Sequence, residues 1–173
     1  KFMMQEIDLI CGYKIKHLSK DNNNIIEKFC EKCSDYFILC DGEFPSKEKI
    51  NKIFTDLPPN KNFDDKFLLG VYNSDELVGI VDIIKDFPTI GEWMLGLMLL
   101  APEERGSGLG KMAHEALVEW AKGLGAKTFR IGVLEDNYRA FNFWSNLGYT
   151  KIREISMDFS SKTHMVNIMR LQV

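Results

Sequence analysis

The chain has 173 residues, 45% of them hydrophobic, enough for one domain to bury a core without disulfides or metal. Its 22 basic and 25 acidic residues leave a net charge of −3, so nothing general attracts it to nucleic acid and any anion site must be local. The 4 cysteines include one lone C-x-x-C pair, Cys30 and Cys33, with no second pair or nearby histidine cluster, which points to ordinary thiols of a reducing compartment and to no metal.

Lys1 is followed closely by Met3, Met4, Glu6 and Asp8, without the apolar core of a secretory signal, so residues 1–8 are expected to be a loose or extraneous lead-in to a cytoplasmic protein. The apolar run from Trp93 to Ala101 falls far short of the roughly 20 residues needed to cross a bilayer, and no membrane partner is expected. Alternation over Gly12 to Leu18 predicts a half-buried strand. Ile25, Ile26, Phe29, Cys30 and Cys33 then recur at helical spacing behind the caps offered by residues 21–24, and Asp41-Gly42 closes that region. Pro45-Ser46 opens a second helix bearing Ile50, Ile53, Phe54 and Leu57, stopped by Pro58-Pro59.

From Lys66 the pattern changes to apolar runs, Phe67 to Tyr72 and Leu77 to Ile84, joined by a polar turn: a hairpin. A third run, Glu92 to Leu100, contains Gly96, which in a strand suggests a bulge or a close approach. Leu109 to Leu124 is predicted helical, Thr128 to Leu134 a strand and Asn137 to Asn146 a helix ended by Gly148. Thr150 to Phe159 and His164 to Leu171 close the sheet. This order gives one α+β domain over 1–173, with a mixed, largely antiparallel sheet of six to seven strands covered by helices.

The informative stretch is Arg105-Gly106-Ser107-Gly108-Leu109-Gly110-Lys111, a glycine-rich turn that opens a helix. Glycines let backbone N–H groups approach an anion, and the helix start adds unsatisfied donors and a positive dipole end. Arg105 and Lys111 add formal charge at either edge. The spacing is one residue too short for a Walker A loop, and Met112 stands where that loop needs a hydroxyl for magnesium. The G-x-G-x-G run also departs from the dinucleotide fingerprint.

Arg105-Gly106-Ser107-Gly108-Leu109-Gly110 resembles the Q/R-x-x-G-x-G/A signature of the GCN5-related N-acetyltransferases, or GNAT family. Downstream, residues 137–149, from Asn137-Tyr138-Arg139-Ala140 to Gly148-Tyr149, resemble the family's N-x-x-A-x-x-φ-Y-x-x-x-G-F segment. The likeness covers residues 66–159 well and the first third in outline.

The resemblance implies helices on both faces and a sheet splayed between its fourth and fifth strands, with acceptor-side helices in 9–65 and an acetyl-CoA-binding core in 66–173. Backbone groups of Met98, Leu99 and Leu100 would pair with the pantetheine arm, and the pyrophosphate would rest on residues 105–111. Asn137, Phe143 and Trp144 would contact the cofactor near its thioester end. The activity implied is direct transfer of an acetyl group to a primary amine of a small molecule or peptide, by a monomer or homodimer. A non-catalytic acyl-CoA sensor is the alternative, suggested by Trp144 standing where the family commonly has a tyrosine that protonates the departing thiolate; an indole supplies no usable proton.

Transfer needs a neutral amine, and Glu92 is the candidate base. Tyr138 is the nearest spare phenol for an acid, or a surface aromatic, whereas Tyr149 reads as core. For the acceptor, Asp35, Tyr36 and Phe37, between the two predicted helices, together with Trp93, offer acids and aromatics that suit a cationic amine; Phe37 and Trp93 read equally well as core.

Overall fold

The computed structural model describes residues 4–173; the expectations for Lys1, Phe2 and Met3 lie outside the described residues. The elements are β1 (Ile7–Asp8), β2 (Tyr13–His17), α1 (Asn23–Lys32), α2 (Ser34–Asp41), α3 (Lys47–Thr55), β3 (Lys66–Asn73), β4 (Glu76–Ile84), β5 (Glu92–Leu100), α4 (Leu109–Gly123), β6 (Thr128–Leu134), α5 (Tyr138–Asn146), β7 (Thr150–Phe159) and β8 (Lys162–Gln172). The strands form one sheet in the order β1-β2-β3-β4-β5-β6-β8-β7. Its pairings are antiparallel except for the parallel β5 with β6.

Eight strands exceed the expected six to seven because Ile7 and Asp8 pair with Ile15 and Lys14. From Met4 onward the lead-in is therefore packed rather than loose, with Met4 itself in the core. The extra strand also shifts the numbering, so the expected fourth and fifth strands are β5 and β6.

Strands β3 and β4 are buried along almost their whole length, which is why they read as unbroken apolar runs rather than alternating ones. One face of the sheet packs against α4 through Leu109, Ala113, Leu117 and Ala121, a stripe at four-residue spacing, and against α5 through Trp144. Phe67, Trp93 and Phe129 lie in that core, with Trp93 stacked on both rings at 6.1 and 6.5 Å. The opposite face packs against Ile26, Phe29 and Cys30 of α1, Phe37 of α2, and Ile50 and Phe54 of α3. Ser46 caps α3 by accepting the Lys49 N–H at 3.1 Å.

The first third departs from expectation at Ser34–Asp41, which is a second helix directly after α1 rather than a loop between helices. Phe37 on it is 2% exposed and belongs to the core, which removes it from an acceptor lining. Cys30, Cys33 and Cys40 are buried thiols, with burial pushing Cys30 up to about 12 and Cys33 up to about 11, whereas Cys11 is exposed. Among the described residues no helix is long and apolar enough to cross a membrane.

Candidate functional site

Strand β5 touches β6 only at its start, where Glu92, Trp93 and Met94 pair with Thr128, Phe129 and Arg130. Beyond Met94, β5 is held by β4 alone and β6 by β8 alone, so the two strands part and leave a gap edged by main chain. At the same level Ile83 opposes Leu95 while Asp82 opposes Leu97, leaving Gly96 as an unmatched residue: the bulge suggested by that glycine. Met98, Leu99 and Leu100 lie on the parted half of β5.

The strand runs on into Pro102–Glu104 and the glycine turn, then α4 starts with Gly108 as its N-cap. Gly106 and Gly108 hold φ of 77° and 91°, left-handed values that favour glycine, and no atom stands within 4 Å of where a Cβ would be on either. Leu109, Gly110 and Lys111 begin the helix, so their N–H groups have no intrahelical acceptor. Ser107 Oγ donates to the Glu104 carbonyl at 2.7 Å and so bends the loop rather than reaching outward.

Arg105 departs from the role of a free cation. Its Nε donates to the Leu100 carbonyl at 3.0 Å, and its Nη1 and Nη2 donate to Asp35 at 2.6 and 3.3 Å. Asp35 is held below the usual carboxylate range by that guanidinium. The pair thus occupies one expected phosphate contact and one expected acceptor contact at once, and the exposed Lys111 is left as the remaining formal charge of the cradle. Two further ties hold the same loop: Tyr13 donates to Glu104 at 2.8 Å, and Lys32 pairs with Glu103.

Asn137 caps α5, its Oδ1 accepting the Ala140 N–H at 3.2 Å. Nearly two turns later Phe143 lies 3.1 Å from the point where Gly110 would carry a Cβ, with Leu100 alongside, so α5 closes on the first turn of α4. Trp144 turns into the core, edge-on to Phe143, His114 and Tyr149 at 4.8, 5.7 and 5.3 Å. His114, not singled out by the sequence reading, shares a 2.7 Å hydrogen bond with the Tyr149 hydroxyl. Burial drives its imidazole down to about 4. Its position among Ala113 and Leu117 on the apolar stripe of α4 is the signal available for it.

Of the residues singled out for chemistry, Glu92 sits where the strands are still joined and accepts from Arg170 Nε at 2.8 Å. Arg130 and Arg153 stand nearby: burial first, then the Arg153 and Arg170 cations, lower the Arg130 guanidinium, and Glu92 opposes them. Tyr138 is 72% exposed at the first position of α5. Trp93 is fully buried among aromatics and is corrected to core; Tyr36 is half-buried, edge-on to Phe37, with its phenol raised by burial.

One polar group in the sheet went unread. Asp82 of β4 is a lone charge inside the apolar run Leu77 to Ile84, which is its sequence signal. Its Oδ2 accepts from Lys66 Nζ at 3.0 Å, and Lys66 Nζ also donates to the Asp56 carbonyl at 3.0 Å. Asp82 Oδ1 is buried without a hydrogen-bond partner among the described residues.

Residues 27–149 match the family model described as acetyltransferase (GNAT) family. The chain is 29% identical over 143 residues to an uncharacterized N-acetyltransferase, YobR, of Bacillus subtilis (strain 168), an alignment covering 79% of this chain and 54% of that protein. It thus spans about half the length of the curated relative it matches. An acetyl transferase from Salmonella typhimurium that modifies an N-terminal serine of a ribosomal protein superposes with a TM-score of 0.79 at 12% identity, over 98% of this chain and 99% of that one. An acetyltransferase from Thermus thermophilus gives 0.73 at 18%, over 92% and 97%. A spermidine N-acetyltransferase from Vibrio cholerae, in complex with CoA and spermine, gives 0.70 at 14%, over 93% and 95%.

Proposed function

The chain belongs to the GNAT acetyltransferase family, and from that premise we propose that it moves an acetyl group from acetyl-CoA directly to a primary amine of a small molecule or peptide. The observation that carries this reading is the parting of β5 from β6 beyond Met94, with the parted half of β5 leading straight into the glycine turn and the start of α4. A gap edged by unpaired main chain suits an amide-bearing arm, and the open, left-handed turn suits a pyrophosphate.

When bound, acetyl-CoA supplies an activated acyl group. The chain's own residues supply the rest: Met98, Leu99 and the N–H of Leu100, whose carbonyl is engaged by Arg105, offer backbone groups to the pantetheine amides, and Gly106, Ser107, Gly108, Leu109, Gly110 and Lys111 receive the phosphates. Phe143 and the free amide nitrogen of Asn137 flank the arm. Trp144 acts through packing. A thiolate, whose conjugate acid has a pKa of about 8.5 in a simple thiol, leaves without a dedicated donor, so the indole at this position does not favour a sensor over an enzyme. The amine-binding names among the structural neighbours support the acceptor class.

Two measurements test the reading. Coenzyme A and acetyl-CoA are expected to raise the melting temperature, since a ligand bound only by the native state stabilises it by mass action, while ATP and NAD do far less. Thiol release from acetyl-CoA is expected with at least one member of a panel of polyamines, amino acids, aminoglycosides and peptides. A flat response to coenzyme A beside a clear shift with NAD overturns the assignment.

A further inference from the structure

We propose that Asp82 is the general base that takes the proton from the acceptor amine, with Lys66 as its positioning partner; this rests on the acetyltransferase reading above. Three observations place it there. The gap closes at Met94, and a donor arm whose phosphates rest on the glycine turn beyond the far end of β5 would run along the gap toward that closure. Gly96 stands two residues from that closure, exposed and without a side chain, and is therefore a window in the strand. Asp82 Oδ2 lies 3.5 Å from where a Cβ on Gly96 would stand.

Asp82 follows Val81 and precedes Ile83, which face the α4 core, so it faces the α1–α3 side with Ile80. The carboxylate thus faces the side of the sheet opposite α4, with its side chain 17% exposed. Met94 also stands at the window, its methyl 3.6 Å from the same point on an unbranched, flexible side chain.

Lys66 engages one carboxylate oxygen and leaves Oδ1 buried without a donor among the described residues. A buried acceptor left unmade is costly, and an amine N–H supplies what it lacks. Burial raises the carboxyl, the Lys66 cation opposes that rise, and Asp56 adds to it; β5 contributes Met94, Gly96 and Leu97 on this side, none of which titrates. Glu92 lies four residues back from Gly96, about 13 Å at 3.3 Å per residue, on the joined part of the strands and bound to Arg170. One amine cannot touch both carboxylates.

In the step assigned to it, Asp82 accepts a proton from the amine nitrogen. The nitrogen lone pair forms the C–N bond at the thioester carbon, the C–S bond breaks, and its electron pair leaves with sulfur as a thiolate that solvent protonates.

The test is the pH profile of kcat/KM, by thiol release from acetyl-CoA, with an amine from the panel that the wild type acetylates. Asp82→Asn is expected to lower kcat/KM by about 10²-fold or more, within the range of general base catalysis, and to remove the lower-pH break that lies below the one set by the amine itself. Lys66→Met removes the cation that holds the carboxyl down, so the same break is expected to move to higher pH.

Coenzyme A binding, followed by melting temperature, is expected to persist in both variants. Should Asp82→Asn fail to fold because the Lys66 cation loses its carboxylate, Asp82→Asn/Lys66→Met carries no lone charge and is expected to fold without the break. A break that survives Asp82→Asn or the double variant, or that disappears instead with Glu92→Gln, overturns the assignment. A wild type that binds coenzyme A but acetylates no amine overturns the functional reading, and this one with it.

Discussion

At the scale of single residues, the burial of His114 sets a pH limit on the fold. The imidazole is driven from an ordinary value near 6.5 to about 4, so the folded chain binds a proton less readily than the unfolded chain. Between those two values the unfolded state carries more protons, and stability rises with pH. The contribution is fully present above pH 6.5 and is lost as pH falls toward 4, about 3–4 kcal/mol at roughly 1.4 kcal/mol per pKa unit. Denaturant titrations between pH 4.5 and 7.5 are expected to reveal this slope in the wild type and a much shallower one in His114→Gln. Two aromatic substitutions separate packing from proton transfer. Trp144→Phe is expected to lower the melting temperature, because it thins the ring cluster of His114, Phe143 and Tyr149, while keeping kcat within about tenfold. Tyr138→Phe is expected to leave kcat within the same limit, since a side chain 72% exposed at a helix start lacks the enclosure of an acid worth 10²–10⁴-fold. A larger loss in steady-state assays would make Tyr138 the donor. Trp93 and Phe37 show where residue-level reading stops: an aromatic beside an acid suits a pocket or a core equally well, and only the sheet's packing decides.

At the scale of elements, the glycine turn is the part most open to a single change. Gly108 holds φ of 91° in open space, so a valine there meets no clash but must leave the left-handed region, moving the amides that would face phosphate. Gly108→Val is expected to abolish the melting-temperature gain from coenzyme A while shifting the unliganded melting temperature little; full retention of that gain would place the cradle elsewhere. The turn, β5 and its bulge, α4, β6 and α5 were all legible in sequence, since β5 is a long apolar run, β6 buries Phe129, Ile131 and Val133 in alternation, and glycine or proline punctuates the element ends. Helix α2 was not. Tyr36, Phe37, Ile38, Leu39 and Cys40 are apolar in succession, with Ile38 exposed and Phe37 buried, so no stripe of helical period marks the segment. Losing that helix turned a structural surface into an apparent loop, and the acceptor residues were read off the wrong backbone. Asp82 was missed for a related reason. A charge inside a buried strand carries no periodic signal, and its meaning depends on Lys66 from the neighbouring strand and on Gly96 from the next.

At the scale of the whole molecule, the loop before the glycine turn is fastened to three elements from the first third of the chain: Glu104 to Tyr13 of β2, Glu103 to Lys32 of α1, and Arg105 to Asp35 of α2. Whatever steadies those helices therefore steadies the cradle, and the relation runs equally in reverse. Two ligands that share such an ordered region bind cooperatively, with a coupling free energy that is by necessity the same for each, typically about 1–3 kcal/mol. In initial-rate measurements the Michaelis constant of the amine is expected to fall as acetyl-CoA is raised toward saturation. Lys32→Ala/Asp35→Ala is expected to weaken that dependence while leaving the glycines in place, and because two of the three fastenings are exposed ion pairs, raised ionic strength is expected to imitate the double variant. Neither substrate then has to come first, because whichever arrives stiffens the floor on which the other must stand.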